Sequence, residues 1–240
     1  MLALSRSHLF RPFMTAAVLG FSALAASAAQ VTFTMSGVVT ADPTGSYQPN
    51  DVITFIFVAN SSVPSFESES TVISWYEEEL SEPEVFSSVS FTGATGTWSR
   101  PSSSEASPES ILVLLSESPQ NFLISAYADR ADDPASRTGL NLGDLSVVGI
   151  AAQGELPGTT FSYTGGVTNL GDFFASHAGS YTVTPPTGLN SWIRVLNETT
   201  MVESEILFDI TSLNVAIPEP SAAVLSFAGV AVVLLRRRRA

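Results

Sequence analysis

The stretch DVITFIFV at residues 51–58 decides the fold class, because it gathers apolar and β-branched side chains in a short run with frequent alternation. A period of two places successive side chains on opposite faces of a strand, so this run predicts a strand with one buried face. The stretch VTFTM at residues 31–35 has the same character. Both indicate an all-β body.

Ten further short runs of this kind extend the pattern, separated by turn residues such as DPTG at 42–45, GELPG at 154–158 and PPTG at 185–188. Twelve short strands without a convincing long amphipathic helix predict an antiparallel β-sandwich, jelly-roll-like in its connections. Short helices over 70–79 and near 172–177 are the competing interpretations. The ten runs lie at residues 72–76, 85–91, 96–99, 111–115, 122–127, 145–150, 160–163, 181–184, 192–196 and 205–210.

The composition limits the chemistry available to this body. The chain has no cysteine and no lysine, which excludes thiolate sites and the lysine-containing phosphate loop of nucleotide enzymes. Residues 30–212 carry 22 carboxylates and four arginines, a net charge near −18. Such a surface is expected to stay soluble and to repel nucleic acid and anionic lipid.

The first 29 residues predict a cleavable secretory signal peptide, forming a signal helix that does not belong to the fold. A basic start with Arg6 and Arg11 precedes an apolar run and then small residues. Cleavage by signal peptidase after Ala28, with Ala26 at the minus-three position, or after Ala29, leaves a mature chain that begins close to Gln30.

Residues 213–240 predict a second targeting segment. A Pro-Glu-Pro motif at 218–220 cannot continue a helix or a strand ladder, so it is expected to be extended and accessible. The apolar run 222–235 predicts a short hydrophobic helix, shorter than the roughly 20 residues that usually cross a membrane. A basic cluster then marks its cytoplasmic side. These marker residues are Pro218, Glu219, Pro220, Arg236, Arg237, Arg238 and Arg239.

This three-part tail resembles the PEP-CTERM sorting signal, a resemblance confined to about the last two dozen residues. It implies recognition of Pro218, Glu219 and Pro220 by an exosortase, a transpeptidase-like membrane enzyme of bacteria that make extracellular polysaccharide. The chain would then be inserted transiently in the inner membrane and delivered to the cell surface or matrix. An ordinary tail anchor is the alternative.

Catalytic and metal-binding signals are weak in the body. His177 is the single histidine of the mature chain, and it lies among turn residues without a nucleophile elbow, so a surface-loop histidine is expected rather than a catalytic base. One histidine without cysteine makes zinc improbable. Calcium, which prefers carboxylate oxygens, has weak candidate ligands in a loop-rich stretch, and a solvated acidic loop is the alternative. These candidates are Asp129, Asp132, Asp133 and Asp144.

Two further features leave a glycan function open. Trp75, Trp98 and Trp192 are expected to fill the core. The alternative is that their rings form a surface platform that binds sugars. The acidic run from Glu77 to Glu84 is expected to be solvated, although paired carboxylates across a cleft can hydrolyse glycosides.

The sequence therefore predicts an exported, non-enzymatic protein of the cell surface or extracellular matrix, without a cofactor, associated with exopolysaccharide or biofilm. A carbohydrate-binding, lectin-like module is the first alternative, and a matrix glycan hydrolase is the second. The expected partners are the secretion machinery with its signal peptidase, an exosortase-like enzyme and extracellular polysaccharide, but not nucleic acid.

Overall fold

The computed structural model describes residues 30–64, 67–68, 72–76, 84–100, 109–115, 118–127, 137–158, 160–163, 169–188 and 190–217. The predicted signal helix, the sorting motif, the apolar run and the arginine cluster lie outside these residues. Within the described ranges no helix is long and apolar enough to cross a membrane.

Antiparallel β-structure dominates these ranges, which confirms the all-β prediction. One short helix, α1 (Leu170–Ala175), accompanies the strands. The strands are β1 (Gln30–Ala41), β2 (Val52–Asn60), β3 (Glu67–Ser68), β4 (Val72–Tyr76), β5 (Phe86–Phe91), β6 (Ala94–Gly96), β7 (Ser110–Leu114), β8 (Gln120–Tyr127), β9 (Leu140–Leu142), β10 (Leu145–Leu156), β11 (Gly179–Thr182), β12 (Ser191–Asn197) and β13 (Val202–Ala216).

The strands join in a single hydrogen-bonded path, β3-β4-β7-β8-β10-β12-β13-β1-β2-β5, that curls like half a barrel. β11 pairs with the part of β13 that β12 does not pair with. β9 pairs with β10, and β6 pairs with β9, so these two short strands extend the sheet beside β10. The hydrogen bonds thus make one curled sheet, and they do not divide the strands into the two sheets expected of a sandwich.

The curl encloses an aromatic core on the inner face. Phe33 of β1 lies 6.0 Å from Phe122 of β8, measured between ring centroids, although three strands separate β1 from β8 in the sheet path. Phe33 also packs edge-on against Phe174 of α1 at 4.9 Å. Trp75 of β4 contacts both Phe173 and Phe174. Helix α1 therefore fills the space between the facing parts of the sheet.

Local sequence explains why α1 forms at this position. Asn169 is its N-cap: the Asn169 Oδ1 accepts a 2.8 Å hydrogen bond from the Asp172 backbone N–H, and its Nδ2 donates to the Asp172 carboxylate. This satisfies a donor that the first turn leaves unpaired. Leu170, Phe173 and Phe174 are buried, at the spacing of one helical face. The helix near 172–177, which the sequence offered as a competing interpretation, is present as Leu170–Ala175 and so begins and ends two residues earlier.

Most predicted strands are confirmed, with differences at their ends. β4 coincides with the predicted run 72–76, so a helix over these residues is wrong. Residues 160–163 form no strand, and β6 precedes the predicted run 96–99, meeting it only at Gly96. β13 continues to Ala216, past the predicted body boundary at 212.

The turn predicted over residues 154–158 is wrong in its first half, because β10 continues through Gly154 to Leu156. Gly154 is required there by close packing: a Cβ atom at this position would lie 2.0 Å from the Val183 Cγ1. The glycine allows the neighbouring chain to approach the strand, as glycines inside strands often do.

The first prediction concerns the aromatic core. Phe33→Ala should lower the free energy of unfolding by about 3–5 kcal/mol, because it removes a fully buried ring that contacts two others. Thr34→Ala, on the opposite face of the same strand, should cost less than about 1 kcal/mol. Urea denaturation of both variants measures the difference, and equal losses would contradict the assignment of faces.

Candidate functional site

The loop between β1 and β2 is held in shape by one carboxylate. Asp42 Oδ1 accepts hydrogen bonds from the Thr44 backbone N–H (2.7 Å) and hydroxyl (2.6 Å), while its Oδ2 accepts from the Tyr47 N–H (2.6 Å). An aspartate that binds the backbone two residues ahead makes an Asx turn, which confirms the turn predicted at 42–45. These hydrogen bonds therefore fix the backbone conformation of the loop.

Tyr47 fastens this loop to the body. Its hydroxyl donates to the Thr92 carbonyl oxygen, and its ring packs against the core. Burial of the ring, and then the negative charges of Asp42 and Asp51, raise the pKa of the Tyr47 hydroxyl to about 12. The phenol therefore stays neutral and keeps its hydrogen bond through the physiological range.

Between this loop and the ends of four strands, β9, β10, β12 and β13, lies a groove of about 370 Å³ that is partly open to solvent. Its walls come from the β1–β2 loop, the β9–β10 turn, β12, the β12–β13 turn and the start of β13. The residues that line it are Pro43, Thr44, Ser46, Leu142, Gly143, Asp144, Leu145, Val195, Asn197, Thr200, Val202 and Ser204.

The lining of the groove is mixed in polarity. Leucine and valine side chains provide apolar surface, hydroxyls and one amide provide hydrogen-bonding groups, and Asp144 is its single charged residue. Ligand sites commonly combine apolar walls with a few polar groups that orient the ligand. The groove therefore combines apolar surface with hydrogen-bonding groups and one carboxylate.

Asp144 is the one predicted calcium candidate that the structure describes. It is exposed in the turn between β9 and β10, where it lines the groove. Asp129, Asp132 and Asp133 lie outside the described residues. In the described part of the chain, no group of three or more histidines and carboxylates is placed to hold a metal ion.

His177 is buried, with 9% of its surface exposed, so the expectation of a surface-loop histidine is wrong. Its Nδ1 lies 2.7 Å from the Phe173 carbonyl oxygen, and its Nε2 accepts a 3.1 Å hydrogen bond from the Ser162 N–H. These partners assign the proton to Nδ1. The ring also stacks on Phe173. His177 therefore ties the end of α1 to the preceding loop.

The tryptophans occupy different environments and do not form a common platform. Trp75 is fully buried, as expected of a core residue. Trp98 packs against the core and donates a 2.9 Å hydrogen bond from Nε1 to Glu109. Trp192 lies on the outer face of β12, where the Arg194 guanidinium carbon is 4.7 Å from its ring centre.

Sequence reasoning missed Glu109, a carboxylate with only 2% of its surface exposed. Its two oxygens accept hydrogen bonds from the Phe86 N–H (2.8 Å) and from Trp98. Glu109 thus links the start of β7 to the start of β5, across the two halves of the curled sheet. Nothing in its local sequence, which is rich in serine and proline, distinguishes it from a solvated glutamate.

The acidic run is described only at Glu84, which is exposed as expected of a solvated segment. The targeting residues all fall in the undescribed parts of the chain. These are Ala26, Ala28 and Ala29 at the predicted cleavage region, Pro218, Glu219 and Pro220 in the motif, and Arg236, Arg237, Arg238 and Arg239 at the end.

No protein-family model matches the chain, and neither a curated protein nor a solved structure matches it. The similarity of the tail to PEP-CTERM signals therefore remains a prediction from the terminal residues.

The second prediction concerns Tyr47. Its folded-state pKa lies above the unfolded value near 10, so the stability that this shift contributes is complete below pH 10 and is lost as the pH rises toward 12. In Tyr47→Phe, the free energy of unfolding should fall less steeply across that range. Urea titrations between pH 9 and 12 measure both slopes. Tyr163→Phe is the matched control, and parallel curves for Tyr47→Phe and the wild type would contradict the burial of this phenol.

The third prediction concerns His177. His177→Phe keeps an aromatic ring but leaves the Ser162 N–H without its partner and removes one of the two side-chain hydrogen bonds to the Phe173 carbonyl, so stability should fall by about 1–3 kcal/mol. Thr182→Ala, at an exposed position in β11, should change it by less than about 0.5 kcal/mol. Thermal or urea unfolding makes the comparison. A His177→Phe variant as stable as the wild type would show that these hydrogen bonds contribute nothing.

Proposed function

We propose that this chain is an exported, non-enzymatic protein of the cell surface or extracellular matrix, sorted through its tail by an exosortase-type enzyme. Signal peptidase would remove the first residues, and the apolar run 222–235 would hold the chain briefly in the inner membrane. Association with exopolysaccharide or biofilm follows from the resemblance of the tail.

The extent of the compact unit is the observation that carries this proposal. The unit is Gln30–Ile217, so it begins directly after Ala29, one of the two proposed cleavage positions, and ends directly before Pro218. β1 starts at Gln30, and β13 ends at Ala216. Cutting at both proposed positions would therefore leave every described strand intact, as expected if the two removed segments serve only for targeting.

The arrangement of β13 supports an outward presentation of the groove. Val202 and Ser204, at the start of this strand, line the groove, whereas Ala216 at its end leads into the sorting segment. A strand of 15 residues spans about 45 Å at roughly 3.3 Å per residue. The groove and Ala216 therefore lie at opposite ends of one strand.

The finer architecture belongs to the same proposal. We propose that the curled sheet works as a jelly-roll-like sandwich whose two parts face each other across the aromatic core. The contact between Phe33 and Phe122 and the Glu109 bridge from β7 to β5 support it. Such a rigid body suits a structural or adhesive role.

A carbohydrate-binding module is the second candidate, favoured by the hydroxyl and amide groups of the groove beside apolar side chains. A glycan hydrolase is supported less, because hydrolysis requires two carboxylates about 5–9.5 Å apart, and Asp144 is the single carboxylate among the described groove residues.

The fourth prediction tests sorting. Intact mass and terminal peptides of the protein recovered from the envelope and medium of its native host should give a chain that begins near Gln30 and ends around residues 218–220. Glu219→Gln with both flanking prolines replaced by alanine should block processing of the tail. Glu203→Gln, at an exposed glutamate of β13, should be processed like the wild type. Persistence of residues 236–239 in a membrane-bound wild-type form would replace the sorting proposal with a plain tail anchor.

A further inference from the structure

The outward surface of one part of the sheet carries no charge, in a chain whose formal net charge is −13. No Asp, Glu, Lys or Arg occurs in β1, β2, β5 or β11, nor in β13 beyond Asp209. These segments are adjacent in the sheet, in the order β11-β13-β1-β2-β5. We call their outward side chains the uncharged face. Asp209, which pairs with Val38 of β1, lies at its border.

The uncharged face exposes apolar side chains along β2. Val52 and Ile56 of this strand have 66% and 40% of their surface exposed, although both are large hydrophobic residues. Val58 is half-buried and follows Ile56 on the same side of the strand, and Val38 of β1 pairs with Val52. These four side chains form an apolar strip. Covering the strip would remove apolar surface from water, which favours a contact at this place.

The other side chains of the face are mostly hydroxyl and amide groups, which both donate and accept hydrogen bonds. Ser36 and Thr54 are hydrogen-bonded through their hydroxyls at 3.2 Å, and Asn214 donates to Ser180 at 2.7 Å. Each hydroxyl oxygen has two lone pairs and one proton, so further hydrogen bonds remain possible after these are made. Because the same groups supply donors and acceptors, the face is chemically complementary to a copy of itself.

The size of the face is sufficient for a specific contact between two proteins. β1 and β2 align five outward positions each, β13 adds three, and β5 and β11 add two each. At about 4.8 Å between strands and about 6.6 Å between rows, these positions cover roughly 550 Å² in projection. Two such faces in contact would bury about 1,100 Å² in total, above the roughly 1,000 Å² that a specific interface needs.

The negative charge of the body favours this face over others for contact between two copies. Copies related by a twofold axis present the same patch to each other. Around Glu203 and Glu205 of β13, such a contact would bring carboxylates toward carboxylates, and Arg194 is already paired with both within the chain. Like charges brought together across an interface cost free energy. The uncharged face avoids this cost.

We infer that the uncharged face is the interface of a symmetric dimer, whose partner is a second copy of this chain. Its centre is the Thr34–Ile56 pair, the third of the five outward pairs between β1 and β2. Two sheets that pack face to face lie about 10 Å apart with strand directions within about 30° of each other. The apolar strips of the two copies would then lie across one another. The inference concerns the body alone and does not depend on the proposed sorting.

Sedimentation equilibrium tests this inference with the full chain in a polyoxyethylene detergent that the buffer matches in density, so that the protein alone sets the measured mass. We expect a dimer with a dissociation constant of about 1–100 μM, typical of a small interface. Added salt should tighten the dimer by about two- to tenfold, because screening weakens the repulsion between two acidic bodies. A monomer at all concentrations up to about 500 μM, or a dimer that salt dissociates, overturns the inference.

Three substitutions locate the contact. Ile56→Glu places carboxylates of the two copies near each other and should weaken the dimer by about tenfold or more. Ile56→Thr keeps the branched shape but removes apolar surface, so the dimer should weaken by about two- to tenfold. Thr199→Glu adds the same charge at an exposed position in the β12–β13 turn and should dimerise like the wild type.

Two outcomes of this comparison contradict the dimer interface. Equal weakening by Ile56→Glu and Thr199→Glu would indicate a general charge effect. A dimer that Ile56→Glu leaves unchanged would place the contact elsewhere, for example in the apolar run 222–235. Either result overturns the inference.

Cross-linking gives a measurement that does not require the fold to tolerate a new charge. The chain has no cysteine, so Thr34→Cys introduces a single thiol at the centre of the face. With sheets about 10 Å apart, the two thiols are too distant for a disulfide but within reach of a short bismaleimide. We expect Thr34→Cys to form a cross-linked dimer and Thr199→Cys to remain monomeric. No dimer in Thr34→Cys, or equal cross-linking of both variants, overturns the inference.

Discussion

The antiparallel pairing of β1 with β13 is the constraint on which the rest of the structure depends. It joins Thr32 to Ala216 at one end and Ala41 to Leu207 at the other, across most of the body's sequence. In the sheet path, β2 and β5 follow β1, and β12 and β10 follow β13. Closing so long a loop costs conformational entropy, which burial of the inner face must offset. The same pairing brings Gln30 and Ile217 to one end of the body.

The alternation of side chains gives each of these two strands a buried face and an outward face. Phe33 and Phe208 face the aromatic core, while residues such as Thr34 and Asn214 face outward. Because the outward side chains point away from the core, a charged residue at these positions can be replaced by a hydroxyl residue with little effect on core packing. β1 and β2 carry no charged residue, whereas β13 carries Glu203, Glu205 and Asp209 before its uncharged end.

Buried polar groups hold the irregular segments against the sheet. Gln120 at the start of β8 exchanges two hydrogen bonds with the backbone of Phe161, at 2.9 Å and 2.7 Å, in the manner of a neighbouring strand. His177 and Glu109 bind backbone N–H groups of other segments in the same way. Each of these groups satisfies backbone that would otherwise be buried without a partner. The β1–β2 loop beside the groove is held by similar hydrogen bonds to Asp42.

The sequence by itself determined the kind of secondary structure, since alternation along residues 51–58 is a local property that reports one buried face. It also predicted the turn at Asp42, which the structure confirms, and two targeting segments, which stay predictions. Tertiary structure alone decided the passage of β10 through Gly154, the burial of His177 and the groove. These features depend on which strand lies beside which, and that order is set by contacts between residues far apart in sequence, which no local pattern records.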